Sequence, residues 1–185
     1  PTLEELNAHL RQLFADQKWK EYILMWLLLN YNTRNMDLDL EIVNSIHATT
    51  HDKSRNYLVR RKEDFVYIRN SYKTYKSYGQ KRHYFKSTPM TFAIRYYIAE
   101  LPPNQPIFLI QQNGERLNEK SVSNYVKNIL PNNITETDVN KIQVSAINDL
   151  ADYKKLLQMA DRRGTEINTL ITYYHLRFSE KDKLI

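Results

Sequence analysis

Residues 19–37 read WKEYILMWLLLNYNTRNMD, an apolar helical pattern that runs directly into a polar segment. Apolar side chains fill nearly every position from Tyr22 to Leu29, so the pattern predicts a helix over roughly Gln17–Tyr31 that is buried on all sides. The apolar run is too short to cross a bilayer, which takes about 20 residues. The stretch therefore predicts the central helix of a globular core, followed by a polar loop that begins at Asn32.

The composition limits the class of protein. The 185 residues suit one domain, residues 1–185, with room for a sizeable core. The absence of cysteine excludes a disulfide scaffold and a zinc ribbon. The histidines His9, His47, His51 and His83 lack the spacing of metal ligands, and we expect them at the surface. The first ten residues carry no signal peptide, so we expect an intracellular, non-secreted protein.

The charge of the chain is concentrated in one segment. From Lys53 to Lys86 there are eleven basic residues against two acidic ones, a net charge of +9, while the remaining 16 basic and 19 acidic residues give −3. Six of the 14 tyrosines lie in the same segment. Basic residues interleaved with aromatic rings are typical of a surface that binds a polyphosphate backbone. A solvated surface hairpin in a basic protein remains the alternative.

The periodicity of the chain predicts a mostly helical α+β fold with a small antiparallel β-sheet. Thr2 and Glu5 fit a capping box at the start of a first helix. Strands are predicted over 57–69 and 82–87, joined by a hairpin turn at Ser77–Gln80. A further short strand is predicted over Ile107–Ile110. The other predicted helices cover Met90–Glu100, Asn118–Leu130, 139–150, 152–161 and Ile167–His175.

Four short segments carry chemically active residues in a fixed order. The first is Asn32–Asp37, which contains Arg34 and an acidic residue, Asp37, three positions later. The second is the basic hairpin around Lys73 and Lys76. The third contains Asn140 and Gln143, and the fourth runs from Gly164-Thr165 to Tyr174. In their order and spacing these segments resemble the catalytic domain of tyrosine recombinases (phage-integrase type), of the viral or mobile-element kind, over about residues 5–178.

The resemblance implies a role for each of these residues. Arg34 is the first phosphate-clamping arginine, and Asp37 is its acidic partner. Lys73 matches the hairpin lysine, with Lys76 as the reserve candidate. Thr165 fills the position usually held by His or Trp. Tyr174 is the candidate nucleophile, and its neighbour Tyr173 is the alternative.

The third segment departs from the family pattern. The family carries His-x-x-Arg, and here Asn140 stands at the His position and Gln143 at the Arg position. Glutamine can donate a hydrogen bond to a phosphate oxygen but brings no charge. Three explanations stay open: a degenerate protein that only binds DNA, a deliberate Arg→Gln change, or a cation supplied from Lys141, Arg162 or Arg163.

The resemblance also implies a reaction and its partners. The reaction is DNA strand cleavage and rejoining through a covalent 3′-phosphotyrosyl intermediate, with no metal or cofactor. The partner is double-stranded DNA, bound by a homo-tetramer of the full-length protein, and the expected location is wherever that DNA lies (host nucleus, viral factory or bacterial cytoplasm). The chain has no room for the N-terminal core-binding domain of the family. Further DNA contacts are expected from Arg69, Lys76, Lys81, Arg82, Arg162 and Arg163.

Two other functions compete with strand cleavage. The first is a catalytically inactive DNA-binding or architectural protein that retains the recombinase fold, which Asn140 and Gln143 favour. The second is a helical protein-interaction module with a basic hairpin, which would have no affinity for DNA even at low salt.

Overall fold

The apolar run forms the central helix of the fold. The computed structural model describes residues 1–86, 88–147, 153–167 and 169–170. Helix α2 (Trp19–Tyr31) buries eight of its thirteen side chains, as the sequence predicts. Helix α1 (Leu3–Ala15) precedes it and begins with the predicted capping box, in which the Glu5 N–H donates to Thr2 Oγ1 and the Thr2 N–H donates to Glu5 Oε2.

The remaining long helices pack around α2. Helix α4 makes the most extensive helix–helix contact with α2, and α5, α6 and α7 contact it in turn. The α5 side chains Val122 and Val126 lie in the same core as Leu24 and Leu28 of α2. Their bounds are as follows: α4 Thr88–Glu100, α5 Glu119–Ile129, α6 Glu136–Ser145 and α7 Tyr153–Arg163.

The small sheet has four strands in the order β1-β2-β3-β4. Strands β2, β3 and β4 pair antiparallel, as predicted, but β1 pairs parallel with β2. Strand β1 is not among the strands that the sequence predicts, because a four-residue edge strand is too short for a clear alternation. The bounds are β1 Leu40–Val43, β2 Asn56–Arg60, β3 Phe65–Arg69 and β4 Lys81–Tyr84.

The two faces of the sheet are both covered. Phe65 and Tyr67 of β3 point into the main core beside α2, whereas Val66 and Ile68 join a smaller cluster on the opposite face. The segment between β1 and β2, which includes the 3₁₀ turn Ile46–Thr50, packs on that smaller cluster through Ile46. This double coverage explains why every side chain of β3 is buried.

Several predicted boundaries differ from the structure. The predicted hairpin turn is a one-turn helix, α3 (Tyr75–Tyr78), between β3 and β4. The predicted strand at 107–110 forms only isolated bridges, Ile107 with Glu41 and Ile110 with Arg116. Helix α6 begins three residues earlier than predicted, because Thr135 and Asp138 form a capping box. The predicted helix Ile167–His175 lies largely outside the described residues.

Within the part of the chain that the structure describes, no helix combines the length and apolar character that a membrane span requires.

Candidate functional site

Arg34 lies at the end of the central helix, held by two sets of contacts. Asn32 ends α2 in the left-handed conformation, with φ of 50° and ψ of 38°, and turns the chain away from the helix axis. The Arg34 N–H then donates to Asp37 Oδ2 at 2.9 Å. Arg34 Nη1 donates to the carbonyl oxygen of Arg163 at 2.6 Å. Arg34 therefore joins the end of α2 to the end of α7.

Asp37 forms a fully buried ion pair. Its Oδ2 accepts a hydrogen bond from Arg69 Nη2 at 2.6 Å, and both side chains are 0% exposed. Arg69 also donates to the carbonyl oxygen of Arg162. The surface role predicted for Arg69 is therefore wrong, because β3 is buried on both faces and the guanidinium neutralises Asp37 inside the fold.

Gln143 reaches the end of α2 from α6. Its Nε2 donates to the carbonyl oxygen of Leu29 at 2.5 Å, and its Oε1 accepts from Asn32 Nδ2 at 3.0 Å. Both polar groups of its amide are thus used inside the protein. Asn140, one helical turn earlier, is 2% exposed, and its amide nitrogen and oxygen have no hydrogen-bond partner among the described residues.

The two consecutive arginines at the end of α7 differ in their surroundings. Arg163 is 2% exposed, donates to Glu136 Oε1 at 2.7 Å and contacts the carbonyl oxygen of Asn32. The DNA contact predicted for Arg163 is therefore wrong as well, since a buried carboxylate pair holds its guanidinium. Arg162 is only partly buried, and it donates to the carbonyl oxygens of Asn30 and Gln158.

The hairpin docks against the turn that contains Thr165. Thr74 Oγ1 donates to the carbonyl oxygen of Gly164 at 2.6 Å, and Lys81 Nζ lies 3.2 Å from Asp161 Oδ1. Gly164 has a φ of 67°, and a Cβ there would lie 2.4 Å from Thr74 Oγ1. The close approach therefore requires glycine. It places Lys73, the neighbour of Thr74, on the hairpin segment that touches the Thr165 turn.

The predicted basic contacts of the hairpin divide into exposed and paired residues. Lys73, Lys76 and Arg82 are exposed. Lys81 is only 10% exposed and pairs with Asp161, so its charge is largely used within the protein. The exposed cations are the part of the predicted surface that can meet a phosphate backbone.

An aromatic stack that the sequence did not indicate lies beside the site. His83 of β4 stacks on Tyr31 of α2, with ring centroids 4.4 Å apart. Burial lowers the pKa of His83 to about 3, helped by the charges of Arg69 and Lys81, so the ring is neutral at physiological pH. The surface position expected for His83 is wrong. Its position in an alternating, highly basic strand gave no signal of burial.

The structure thus brings together the segments that carry four of the five predicted catalytic residues. Arg34 and Gln143 meet at the end of α2, the Thr165 turn follows α7, and the Lys73 segment docks on that turn. Tyr174 and the alternative Tyr173 lie outside the described residues. Thr74 is the contact that sequence reasoning missed, because threonine beside a candidate lysine carries no signal of its own.

Comparison with known proteins identifies the fold. No protein-family model and no curated protein matches the chain. Among solved structures, the crystal structure of XerA recombinase, a tyrosine recombinase, matches with a TM-score of 0.60 at 11% sequence identity. The match covers 100% of this chain and 61% of that one, so the chain spans less than two thirds of that recombinase. The chain therefore has the mostly helical fold, with a small four-stranded sheet, of a tyrosine recombinase.

Proposed function

We propose that this chain is a recombinase-type domain that binds duplex DNA and holds a backbone phosphodiester between Arg34 and the hairpin lysine, Lys73. Strand cleavage and rejoining through Tyr174 is the reaction of the site, and Gln143 impairs it. The observation that carries the proposal is the convergence of Arg34, Gln143 and the docked hairpin where the end of α2 meets the end of α7, within a fold that a recombinase shares along the whole chain.

The chemistry needs fixed positive charge. A phenol that attacks a phosphodiester creates negative charge on the phosphoryl oxygens, and fixed donors around those oxygens usually supply the largest catalytic term. Arg34 suits this task because its planar guanidinium can grip two oxygens at once. A hairpin lysine can donate a proton to the departing 5′-oxygen as general acid. Losing one such donor typically slows the reaction about 10²–10³-fold.

The state of Gln143 supports impaired cleavage. One N–H of its amide donates to the Leu29 carbonyl and its Oε1 accepts from Asn32, so the amide is held against the end of α2 and can offer a phosphate at most its second N–H, without charge. This observation also favours a second candidate function, a catalytically inactive DNA-binding or architectural protein. The two candidates share the DNA-binding surface and differ only in whether Tyr174 forms a covalent adduct.

The test compares three forms of the chain on supercoiled plasmid and on a nicked duplex that traps covalent adducts. These are the chain as given, Gln143→Arg, and Gln143→Arg with Tyr174→Phe added. We expect little or no SDS-resistant adduct from the first, a clear gain in the second, and loss of that gain in the third. Melting curves of all three confirm that the larger arginine side chain leaves the domain folded.

Each outcome selects one function. Adducts that form with Gln143 in place indicate an active enzyme. Adducts that form only in Gln143→Arg, and vanish once Tyr174→Phe is added, indicate a recombinase site that Gln143 impairs. Binding without adducts in any form supports the architectural candidate. Absence of salt-sensitive DNA binding in all three forms contradicts the proposal. Viral or mobile-element origin, an intracellular location and a tetramer of the full-length protein belong to the same proposal.

A further inference from the structure

Two side chains donate hydrogen bonds to neighbouring carbonyl groups at the end of α2. Gln143 Nε2 donates to the carbonyl of Leu29 from α6, and Arg162 Nη1 donates to the carbonyl of Asn30 from α7. Consecutive carbonyls of one helical turn are only a few ångströms apart. The Arg162 guanidinium therefore lies beside the amide that occupies the second-arginine position.

The two groups also share a cavity. A cavity of about 210 Å³ lies between α2, α6 and α7, with apolar walls and a polar end formed by Asn32, Gln143 and Arg162. The Asn32 Oδ1 is buried and has no hydrogen-bond partner among the described residues. The remaining lining residues are apolar except for one further cation, Lys155; the apolar ones are Leu3, Leu29, Ala146, Ile147 and Met159.

Arg162 differs from the other arginines of this region in its counter-charge. Arg69 is paired with Asp37 and Arg163 with Glu136. Arg162 makes no salt bridge within the described chain, and its acceptors there are neutral carbonyl oxygens. Burial lowers the pKa of Arg162, and the opposing effects of Tyr31 and of the nearby Asp161, which pairs with Lys81, do not cancel it. Because buried charges are normally paired, an anion from outside the chain would stabilise a guanidinium in this state.

We propose that Arg162 supplies, from α7, the positive charge that Gln143 lacks, and that it binds a backbone phosphate of the DNA alongside Arg34. The inference rests on the proposed function, since the anion it names belongs to DNA. Arg34 Nη1 contacts the carbonyl of Arg163, the residue next to Arg162, so both guanidinium groups lie at the end of α7. In this proposal the positive charge comes from Arg162 of α7 and not from position 143 of α6, but it lies in the same part of the fold.

A double-mutant cycle tests this assignment. The affinity of the chain for a 20-base-pair duplex is measured over a series of salt concentrations for the unmutated chain, Arg162→Gln, Gln143→Arg and the double variant. We expect Arg162→Gln to lower the slope of log K against log [salt] by about one unit, as loss of one phosphate contact predicts. In the Gln143→Arg background the same substitution should cost much less, because the charge is restored there.

Two variants control for non-specific effects. Arg162→Lys keeps the charge and should retain most of the slope. Arg11→Gln removes an equal charge from an exposed position of α1 and should leave the slope nearly unchanged. Equal losses from Arg162→Gln in both backgrounds, or an unchanged slope when Arg162→Gln is made in the chain that keeps Gln143, would overturn the inference. An unmutated chain that does not bind DNA would instead overturn the proposed function, and the inference with it.

A measurement on the unmutated chain covers the case in which Arg162→Gln does not fold. Phenylglyoxal modifies accessible guanidinium groups, and peptide mass spectrometry reads each site. DNA should protect Arg162 several-fold more than Arg11. Equal modification of Arg162 with and without DNA, under conditions where DNA is bound, would contradict the assignment.

Discussion

At the scale of single residues, breaking the Asp37–Arg69 pair should destabilise the fold. Both side chains are fully buried and joined at 2.6 Å. Replacing Arg69 by Leu leaves the Asp37 carboxylate buried without its counter-charge, which should lower the free energy of unfolding by about 3–5 kcal/mol. Urea denaturation at pH 7 measures this change.

The matched control for this pair is the double variant Asp37→Leu with Arg69→Leu. Because it removes both charges, it should be less destabilised than the sum of the two single changes. Additive losses would mean that the pair does not interact energetically. They would also remove its role in joining the Arg34 loop to the hairpin.

Gly164 gives a second prediction at this scale. An added Cβ would meet Thr74 Oγ1 at 2.4 Å and Tyr72 Cε2 at 3.0 Å, and the φ of 67° also favours glycine. Gly164→Ala should therefore destabilise the fold by about 2–4 kcal/mol, through strain and overpacking together. Thermal and urea melts provide the measurement.

Gly114 is the matched control for Gly164. It has a φ of 83°, but an added Cβ there has no neighbour within 4 Å. Gly114→Ala should thus cost only the backbone term, about 1–2 kcal/mol. Adding Thr74→Ala to Gly164→Ala should recover part of the loss by removing the clashing Oγ1. Equal costs at the two glycines would contradict the packing argument.

The role of a residue was predictable from the sequence where a local motif fixed that role. It was not predictable where burial in the folded chain decided it. Arg34 and Asp37 stand together in the structure because three-residue spacing lets the Asp37 carboxylate cap the Arg34 N–H. The sequence predicted DNA contacts for Arg69 and Arg163, and both side chains are buried instead. Their burial depends on Asp37 and Glu136, which lie 32 and 27 residues away along the chain. Local sequence patterns do not indicate partners at such a distance.

At the scale of elements, the hairpin should act on DNA affinity and not on stability. Lys73 and Lys76 are exposed, so neither contributes to the core. Replacing each by Ala should lower the slope of log K against log [salt] by about 0.9 if each contacts one phosphate. The melting temperature should stay within about 1 °C, since exposed substitutions change stability little. Lys120→Ala, an exposed lysine of α5, should change neither quantity.

The stabilisation that the capping box of α6 contributes should depend on pH. Partial burial raises the pKa of Asp138, but hydrogen bonds from Thr135 outweigh that effect and leave the pKa below its usual value. The stabilisation is therefore complete above the unfolded pKa of about 3.9 and is lost as the pH falls through the lower folded value. Thr135→Ala should cost about 1 kcal/mol at pH 7.

Acid titration of that difference tests the mechanism. This gap, which is the difference in the free energy of unfolding between the unmutated chain and Thr135→Ala, should narrow below about pH 3.5, once Asp138 is protonated. Thr137→Ala, an exposed change in the first turn of the same helix, should show no such narrowing. A gap that stays constant down to about pH 2 would mean that the Asp138 charge does not contribute to the cap.

Elements with their own local signals were predicted well. Helices α1, α2, α4 and α5 follow from apolar spacing, and their bounds differ from the predictions by only a few residues. Strand β1 was missed because its parallel pairing with β2 is a tertiary feature. The short helix α3 replaced the predicted hairpin turn, since the docking of Thr74 on Gly164 sets the conformation of that segment.

At the scale of the whole molecule, the order of motifs led to the fold although each motif alone is weak. Arg34, the hairpin and the Gly164 turn are separated by long stretches of chain and converge only when α2, the sheet and α7 pack together. Comparison with XerA recombinase supports that arrangement for the fold. The sequence predicted that Gln143 stands where the recombinase pattern has an arginine, but it did not predict the contacts that hold Gln143.

The uneven distribution of charge makes the last prediction. The segment from Lys53 to Lys86 carries a net charge of +9 and the rest of the chain −3. Of its cations, Lys73, Lys76, Arg82 and Lys86 are exposed on or beside the hairpin. If all four meet phosphates, log K for duplex DNA should fall linearly with log [salt] with a slope of at least about 3 in magnitude, and affinity should drop on the order of 100-fold between about 50 and 200 mM salt.

Fluorescence anisotropy on two unrelated duplexes of equal length measures both quantities. Similar slopes on the two sequences are expected because contacts to the backbone carry no sequence information. Binding that is insensitive to salt would instead place the DNA away from this surface.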